Sequence, residues 1–265
     1  MTEPIIRQVR AEDAGELAAL WHRVFGDPAE LARAFLAELP ALGGGVCAEE
    51  GGKLLGAAYA VTDFTLEGRR AAYLYAIGVL PEARGRGLGK RLTKEAAALG
   101  RELGADLVCT LPANAPLYPW YEKLIGVRCA LYRREERFGS SPGVKPLPLS
   151  PEAYGLRREE LLHGKPHVTV GPAALRYEKE NCRCFGGDLY AVGAGVAAAC
   201  LDEGETRIRE LLAPAGEDLH ELAAALGAHL GTERVLLLSS APEGRPYLAA
   251  DTPLPPGCIW NLTLD

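Results

Sequence analysis

The feature that most constrains this chain is a glycine-rich run, Arg84-Gly85-Arg86-Gly87-Leu88-Gly89, between a hydrophobic segment and an amphipathic one. Before the run, residues 73–80 are almost wholly apolar and rich in aromatic and β-branched side chains, which predicts a buried strand. After it, leucine and alanine recur at helical spacing as far as Leu103, and Gly104 predicts the end of that helix. A strand that passes into a helix in this way predicts an α/β (α+β) fold.

The run can hold an anion at the start of the helix, although a glycine-rich turn by itself is more often an ordinary loop. Its three glycines lack the Cβ atoms that would keep a phosphate off the backbone, so several N–H groups at the helix start can point at one anion. Arg84, Arg86, Lys90 and Arg91 add positive charge around that point. The spacing is neither G-x-x-x-x-G-K-[ST] nor a dinucleotide fingerprint, because no parallel βαβ unit with an acidic ribose ligand follows.

Predicted elements on both sides of the run extend this α/β pattern. Residues 5–9 predict a first strand, and Asp13 with Glu16 predicts a capped helix start. A second helix is predicted from Asp27-Pro28, with proline at its first position. An antiparallel meander is predicted at residues 46–48, 53–61 and 71–80. Residues 106–111 predict a strand parallel to the last of these, reached by a helical crossover.

The run fits the pattern Arg-x-x-Gly-x-Gly, with Arg84, Gly87 and Gly89 at its fixed positions, which resembles the signature of the GNAT superfamily of acyl-CoA-dependent N-acetyltransferases. The order of elements over residues 4–138 is similar as well. Residues 117–124 are similar to a second motif of the family, although an isoleucine precedes Gly126 and a valine stands where an aromatic residue is usual. The resemblance implies a mixed, mainly antiparallel sheet flanked by helices, with acetyl-CoA as co-substrate and no metal.

The resemblance also implies where coenzyme A binds and which residue assists the chemistry. The implied cofactor-binding residues lie at the end of the buried strand, in the glycine-rich run and before the next helix: Ile77, Gly78, Val79, Arg84, Gly85, Arg86, Gly87, Leu88, Gly89, Lys90 and Asn114. Tyr121 is placed near the thioester sulfur. Without the motif, the favoured explanation of Tyr121 is an amphipathic core residue with its hydroxyl at the surface.

Acetyl transfer to an amine requires an oxyanion donor and a proton donor. A glycine within a strand predicts a bulge around Gly78 and Val79 that frees a backbone N–H for the oxyanion. Tyr121 is the expected general acid, since the pKa of a phenol, about 10, is not far above the pKa of a thiol, about 8.5.

The proton acceptor stays open at this point, because the core strand contains no carboxylate between Tyr73 and Val79. An alkyl ammonium group has a pKa of about 10.4 and must lose a proton before or during attack. That proton leaves through water, past Tyr73 or Tyr75, or to the C-terminal carboxylate of Asp265. The last alternative comes only from a resemblance to tandem-GNAT aminoglycoside acetyltransferases.

Two domains are expected in the 265 residues. Closely spaced prolines and glycines predict a linker at residues 139–151, which separates an acetyl-CoA-binding domain, 1–138, from a second domain, 152–265. The second domain repeats the predicted helices, meander, helix and strand of the first. Its strand-to-helix connection, residues 214–218, is short and acidic and would repel a pyrophosphate. We therefore expect a degenerate GNAT-like unit that lacks a cofactor loop.

Composition bounds the partners and the location. A net charge of −6 without a basic stripe outside the loop argues against nucleic acid. Seven cysteines without framework spacing suggest reduced thiols and a cytoplasmic protein. The longest apolar run, residues 190–201, is too short to span a bilayer, so no membrane partner is expected. Cys182 and Cys184 are expected on one face of a strand, without the further ligands of a zinc site.

Two function classes remain open from the sequence. The first is an acetyl-CoA-dependent N-acetyltransferase that acts on a primary amine of a small molecule or a protein. The second is a non-catalytic acyl-CoA-binding regulator, in which the second domain passes the signal to a partner. The acceptor carries no recognised motif, and an oligomer is compatible with either class.

Overall fold

The structure, a computed structural model, describes residues 3–264. Its helices are α1 (Ala14–Phe25), α2 (Ala29–Leu42), α3 (Leu88–Glu102), α4 (Leu117–Ile125), α5 (Pro151–Leu162), α6 (Pro172–Cys184) and α7 (Leu219–His229). Its strands are β1 (Ile5–Gln8), β2 (Gly43–Glu50), β3 (Lys53–Leu66), β4 (Arg69–Val79), β5 (Leu107–Thr110), β6 (Arg128–Gly139), β7 (Leu147–Pro148), β8 (Val168–Val170), β9 (Asp188–Val192), β10 (Gly195–Asp202), β11 (Glu205–Leu212), β12 (Arg234–Ser240) and β13 (Arg245–Ala250).

The chain forms two compact units, and neither is contiguous in sequence. Unit 1 comprises Met1–Ala130 together with Tyr247–Leu254, and unit 2 comprises Leu131–Pro246 together with Pro255–Asp265. This division differs from the expected one. The segment 139–151, predicted as a linker, lies inside unit 2, and a short segment from near the end of the chain completes unit 1.

The sheet of unit 1 has the order β1-β2-β3-β4-β5-β13, and its described pairings are antiparallel except for β4 with β5. Helices cover both faces. On one face, Leu99 of α3 lies over Gly44 of β2. The next residue, Gly45, faces the other side of the sheet, where the ring of its strand neighbour Tyr59 lies. There Trp21 of α1 packs on Tyr59, with ring centroids 5.9 Å apart. The predicted mixed, mainly antiparallel sheet flanked by helices is confirmed.

The start of α1 corrects one local prediction. Asp13 precedes the helix as expected, but its carboxylate makes no capping bond. Instead it accepts two hydrogen bonds from the Arg7 guanidinium, at 2.6 and 2.8 Å, and one from the N–H of Arg10, at 2.8 Å. Glu16 accepts from the N–H of Leu54 at 2.7 Å and so ties α1 to β3. The Asp13 carboxylate therefore binds Arg7 and caps the 3-10 turn Ala11–Asp13 instead of capping α1; its bonds to the guanidinium are charge-assisted and strong.

The sheet of unit 2 has the order β6-β12-β11-β10-β9-β7, again with a single described parallel pairing, here between β11 and β12. Two helices, a three-stranded meander, a helix and a strand follow one another as they do in unit 1. The predicted cap of α5 is present, since Ser150 Oγ accepts from the N–H of Ala153 at 3.2 Å. The core lies between α7 and β9–β12 and includes Leu226 and Ile208, both fully buried.

Cys182 and Cys184 correct a second local prediction, because they lie on α6 and not on a strand. Residues two apart on a helix do not share a face. Accordingly Cys182 is fully buried while Cys184 is half-buried. Within residues 3–264 no cluster of three or more His, Cys, Asp or Glu side chains is arranged to hold a metal ion. None of the described helices combines the length and the apolarity needed to cross a membrane.

Candidate functional site

The glycine-rich run forms an exposed loop between β4 and α3. A 3-10 turn at Pro81–Ala83 leaves the strand, and the chain then passes through Gly85 and Gly87, whose φ angles are +78° and +73°. Such positive φ values are readily adopted by glycine and strain other residues, so both glycines are required by the backbone itself. Leu88 is buried and anchors the end of the loop at the first residue of α3.

The N-terminus of α3 is open to an anion. Gly87 occupies the N-cap position without a side chain, and the first helical turn contains no acidic residue. The first hydrogen bond of the helix runs from the N–H of Arg91 to the carbonyl of Gly87, at 3.2 Å. The N–H groups of Leu88, Gly89 and Lys90 therefore precede the helical ladder and point out of its positive end. This arrangement favours binding of a phosphate group.

Gly89 differs from the other glycines of the loop because nothing in the protein itself demands it. Its backbone is helical, and a Cβ added there would meet only Val79 Cγ2, at 4.0 Å. Glycine in a helix costs about 0.5–1 kcal/mol relative to alanine. The missing Cβ leaves open space beside the N–H groups at the start of α3.

Two ion pairs fix the loop, and sequence reasoning found neither. Arg86 makes a bidentate contact with Glu50 at the end of β2, with N–O distances of 2.8 and 3.0 Å. This guanidinium lowers the pKa of Glu50. Glu82 in the 3-10 turn accepts from Arg23 at 2.9 and 3.2 Å. The charge of Arg86, expected to face phosphate, is therefore largely compensated by Glu50, while Lys90 is exposed.

The parallel pairing of β4 with β5 ends close to the loop. Their parallel pairing runs from Ala71 opposite Leu107 to Leu74 opposite Thr110. Strand β5 ends there, whereas β4 continues to Val79. The predicted cofactor residues at the end of β4, Ile77, Gly78 and Val79, thus lie beyond the part of the strand that pairs with β5.

The predicted bulge exists, but two residues earlier than expected. Tyr59 pairs with Tyr75 and Ala57 pairs with Gly78, so Ala76 and Ile77 together face one residue of β3. Ala76 takes the strained φ of +46°. Gly78, which suggested the bulge, has a different role. A Cβ at Gly78 would lie 2.9 Å from Val24 Cγ1, so glycine at this position allows α1 to pack closely against β4.

Tyr121 lies on α4, with its side chain near the point where the pairing of β4 and β5 ends. It is 7% exposed and belongs to an apolar cluster that also contains Ile77, Val127 and Ala249. Burial raises the pKa of Tyr121, and the side chain of Thr110, the last paired residue of β5, acts on this pKa in the opposite direction. Tyr121 is therefore a protonated phenol at neutral pH.

Strand β13 brings residues to this site that sequence reasoning missed. Ala249 pairs with Thr110 and packs in the cluster of Tyr121. The Tyr118 hydroxyl donates to the carbonyl of Tyr247 at 3.1 Å and so ties α4 to β13. Asp251 accepts from the N–H of Val108 at 3.0 Å and forms an ion pair with Arg101 of α3. No sequence motif marks these residues, because their roles depend on pairing with a strand more than a hundred positions away.

The remaining predicted residues are placed as follows. Asn114 is exposed in the turn before α4, and its carbonyl accepts from the N–H of Leu117 at 3.1 Å. Tyr73 is buried, whereas Tyr75 is half-buried beside the ring of Trp21, with centroids 5.6 Å apart. Asp265, considered as a base, lies outside the described residues.

The corresponding helix of unit 2 shows the opposite arrangement. The parallel pairing of β11 and β12 ends at Ile208 opposite Leu237, and α7 follows β11 as α3 follows β4. Here, however, Asp218 caps the helix, and its carboxylate accepts from the N–H groups of His220, at 2.8 Å, and Glu221, at 3.3 Å. A carboxylate of the chain itself occupies the position that is open to an outside anion in α3.

Together, the fold and this site define unit 1 as an α/β unit in which helix α3 begins with an open N-terminus, beside the point where the pairing of β4 and β5 ends. Residues 11–127 match the family model described as the Acetyltransferase (GNAT) family. Unit 1 therefore carries a domain of the GNAT acetyltransferase family, which is an acyltransferase domain. No curated protein sequence gives a significant match.

Solved structures match over nearly the whole chain. A conserved protein of unknown function from Enterococcus faecalis V583, described as a probable N-acyltransferase, is 17% identical, with a TM-score of 0.70 over 94% of this chain and 72% of its own. A GCN5-related N-acetyltransferase from Kribbella flavida is 18% identical, with a TM-score of 0.65 over 93% and 71%. A putative acetyltransferase from Pyrococcus horikoshii is 14% identical, with a TM-score of 0.62 over 99% and 93%. At these identities the likeness is one of fold.

Proposed function

We propose that this protein is an acetyl-CoA-dependent N-acetyltransferase that transfers an acetyl group to a primary amine of a small molecule or a protein. The observation that carries the proposal is the open N-terminus of α3, beside the point where the pairing of β4 and β5 ends. Three N–H groups point out of the helix there, Gly85 and Gly87 turn the backbone with positive φ, and Gly89 leaves the space beside them open. This combination suits a pyrophosphate on the loop and an extended pantetheine arm along the end of β4.

In this proposal the chain's own residues divide the work. The loop residues 84–90 hold the pyrophosphate, the end of β4 holds the pantetheine arm, and Asn114 lies beside that arm. The bulge at Ala76 and Ile77 frees a backbone N–H toward the thioester oxygen, in place of the donor expected at Gly78. Tyr121 gives its proton to the departing sulfur. Water reached past Tyr75 is the favoured route for the amine proton, because Tyr75 is more exposed than Tyr73.

One site per chain is proposed, since the equivalent helix of unit 2 is already capped by Asp218. Unit 2 then acts as a degenerate relative of unit 1 that shapes the acceptor side or binds a partner. We also propose a cytoplasmic location, supported by seven cysteines that form no disulfide.

Two measurements test this function. Isothermal titration with acetyl-CoA is expected to give one site per chain, and two equivalent sites would contradict the role given to Asp218. Release of coenzyme A thiol from acetyl-CoA in the presence of a broad panel of primary amines is then expected for at least one amine. Tight binding without release on any amine would instead support a non-catalytic acyl-CoA-binding regulator.

A further inference from the structure

Arg86, in the middle of the glycine-rich loop, contacts a strand that is not its neighbour in the chain. Its nitrogens Nη1 and Nη2 donate to the two carboxylate oxygens of Glu50, at 3.0 and 2.8 Å. The side chains of Arg86 and Glu50 are 33% and 22% exposed, so the pair is partly shielded from water. A bidentate arginine–carboxylate contact fixes the relative orientation of the two groups as well as their distance.

The position of Glu50 in the sheet shows where the Arg86 guanidinium lies. Glu50 is the last residue of β2 and pairs with Lys53, the first residue of β3. In the sheet, β3 lies between β2 and β4, whereas β5 lies on the other side of β4. The guanidinium is therefore held at β2, two strands from β4 and on the side opposite to β5. The end of β4, proposed to hold the pantetheine arm, lies nearer to β5.

Two other cations of the loop keep their charge near the helix start. Arg84 Nε donates to the carbonyl of Val79 at 3.2 Å, and this neutral acceptor leaves the charge of the guanidinium uncompensated. Lys90 is exposed in the first turn of α3. Arg84 and Lys90 can therefore supply the positive charge that favours an anion at this helix terminus.

Moving Arg86 onto a bound phosphate would leave Glu50 as an unpaired carboxylate one side-chain length from the loop. The Arg86 guanidinium lowers the pKa of Glu50, so this carboxylate is ionised at neutral pH. Without its partner it would repel a pyrophosphate. An intact pair is close to neutral and does not oppose the cofactor.

The backbone on either side of Arg86 needs such a contact to hold its shape. Gly85 and Gly87 both have positive φ, and a Cβ on either would meet no atom within 4 Å. Glycine adopts many backbone conformations, so these two residues by themselves do not fix the loop. Gly87 directly precedes the N–H groups of residues 88–90. A side-chain contact at Arg86 therefore helps to set the direction of those N–H groups.

We propose that Glu50 is a positioning residue for the cofactor loop, and that Arg86 binds Glu50 and not the pyrophosphate. The pair holds the loop against the end of β2, so that the N–H groups of residues 88–90 point at the anion. These N–H groups, together with Arg84 and Lys90, then contact the pyrophosphate. The inference rests on the proposed function, in which this loop binds acetyl-CoA.

Isothermal titration of the 265-residue chain with acetyl-CoA tests the inference through the sign of one change. Glu50→Gln keeps the size of the side chain and removes the charge that holds Arg86. The Kd should rise about three- to fivefold, the upper range for a partly exposed ion pair. If Arg86 were a phosphate ligand, the same variant would release it and remove a negative charge, so the Kd would fall.

Further variants separate a positioning role from direct binding. Arg86→Gln should raise the Kd as much as Glu50→Gln does, and the double variant should show no additional loss, because both changes remove one contact. Arg86→Gln should also keep the wild-type salt dependence of the Kd, since it removes no contact with phosphate. The exchange Glu50→Arg with Arg86→Glu re-forms the pair in reverse and should restore most of the affinity.

A matched control removes one negative charge elsewhere. Glu95 is exposed on α3 outside the loop, and Glu95→Gln should leave the Kd within about twofold of the wild type because its charge is screened by solvent. Thermal unfolding without ligand should stay within about 1–2 °C in Glu50→Gln, since a surface pair contributes little to global stability. A change in affinity without a change in Tm then reports the loop and not the fold.

The outcomes separate this inference from the proposed function. A lower Kd in Glu50→Gln, a weaker salt dependence in Arg86→Gln, or an unchanged Kd in both single variants overturns the inference and leaves the proposed function intact. Loss of binding in the exchanged pair beyond that of either single variant also overturns it. If the wild-type chain does not bind acetyl-CoA, the proposed function fails and the inference fails with it.

Discussion

Gly89 provides the sharpest separation between folding and ligand binding in this chain. The substitution Gly89→Ala adds one methyl group at the second residue of α3, where the backbone is already helical. The new Cβ would lie 4.0 Å from Val79 Cγ2, an ordinary contact distance. Gly87→Ala is a poorer probe, because φ is +73° at that position and the variant would be strained before any ligand arrives.

The expected effects on stability and binding have opposite signs. Replacing glycine by alanine at a compatible position stabilises a protein by about 0.4–1 kcal/mol, chiefly through the unfolded state. That corresponds to a rise in Tm of about 1–3 °C for a chain of this size. In the complex, however, the methyl group occupies the space that pyrophosphate needs. Loss of one hydrogen bond to a charged group costs about 1.5–3 kcal/mol, so Kd for acetyl-CoA should rise about 10- to 100-fold.

Gly15 offers a matched control, since it is also the second residue of a helix and a Cβ there would meet no atom within 4 Å. Thermal unfolding without ligand and isothermal titration with acetyl-CoA should be run on Gly89→Ala and Gly15→Ala together. Both variants should keep or gain stability, while affinity falls in Gly89→Ala alone. If Gly89→Ala binds acetyl-CoA within about twofold of the wild type, the helix terminus does not hold the pyrophosphate.

Three further predictions concern the frame around the site. Ala76→Gly should raise the free energy of unfolding by up to about 1 kcal/mol by relieving φ of +46°, whereas Ala76→Val should lower it in urea denaturation. Asp251→Ala should cost about 1–3 kcal/mol in the same assay by leaving the Val108 N–H without its acceptor; an unchanged midpoint would mean that water replaces the carboxylate. The Arg7 contact lowers the pKa of Asp13, so it stabilises the fold above the unfolded pKa of about 4, and this contribution is lost as the pH falls through the lowered value. Asp13→Asn should therefore reduce the loss of stability that occurs as the pH falls below about 4. An unchanged loss would mean that other carboxylates cause it.

Local patterns in the sequence were sufficient for much of unit 1. The transition from an apolar strand to a glycine-rich loop and a helix depends on residues adjacent in the chain, and β4, the loop and α3 formed where expected. The mixed sheet and the GNAT domain followed from the same segment. The α7 cap is equally local, because Asp218 reaches N–H groups only two and three residues away.

Nonlocal contacts changed the finer details. The bulge lies at Ala76 and Ile77 instead of Gly78. Gly78 is required for another reason, the close approach of Val24 and Phe25 of α1. The Asp13 carboxylate pairs with Arg7, six residues earlier, instead of capping α1, and Arg86 pairs with Glu50 of β2. A charged side chain has several compatible partners, and the folded arrangement of the chain selects one of them.

The sequence by itself therefore determined the glycine-rich loop and the open helix start, because these residues lie next to one another in the chain. The tertiary structure decided how Tyr121 is surrounded, because Ile77 and Ala249 come from β4 and β13, which lie far apart in the chain. Ala249 belongs to a segment that the sequence assigned to the second domain. A strand pairs through its backbone N–H and C=O groups, which hardly differ from one residue to another. A side-chain pattern therefore does not indicate which sheet a strand will join.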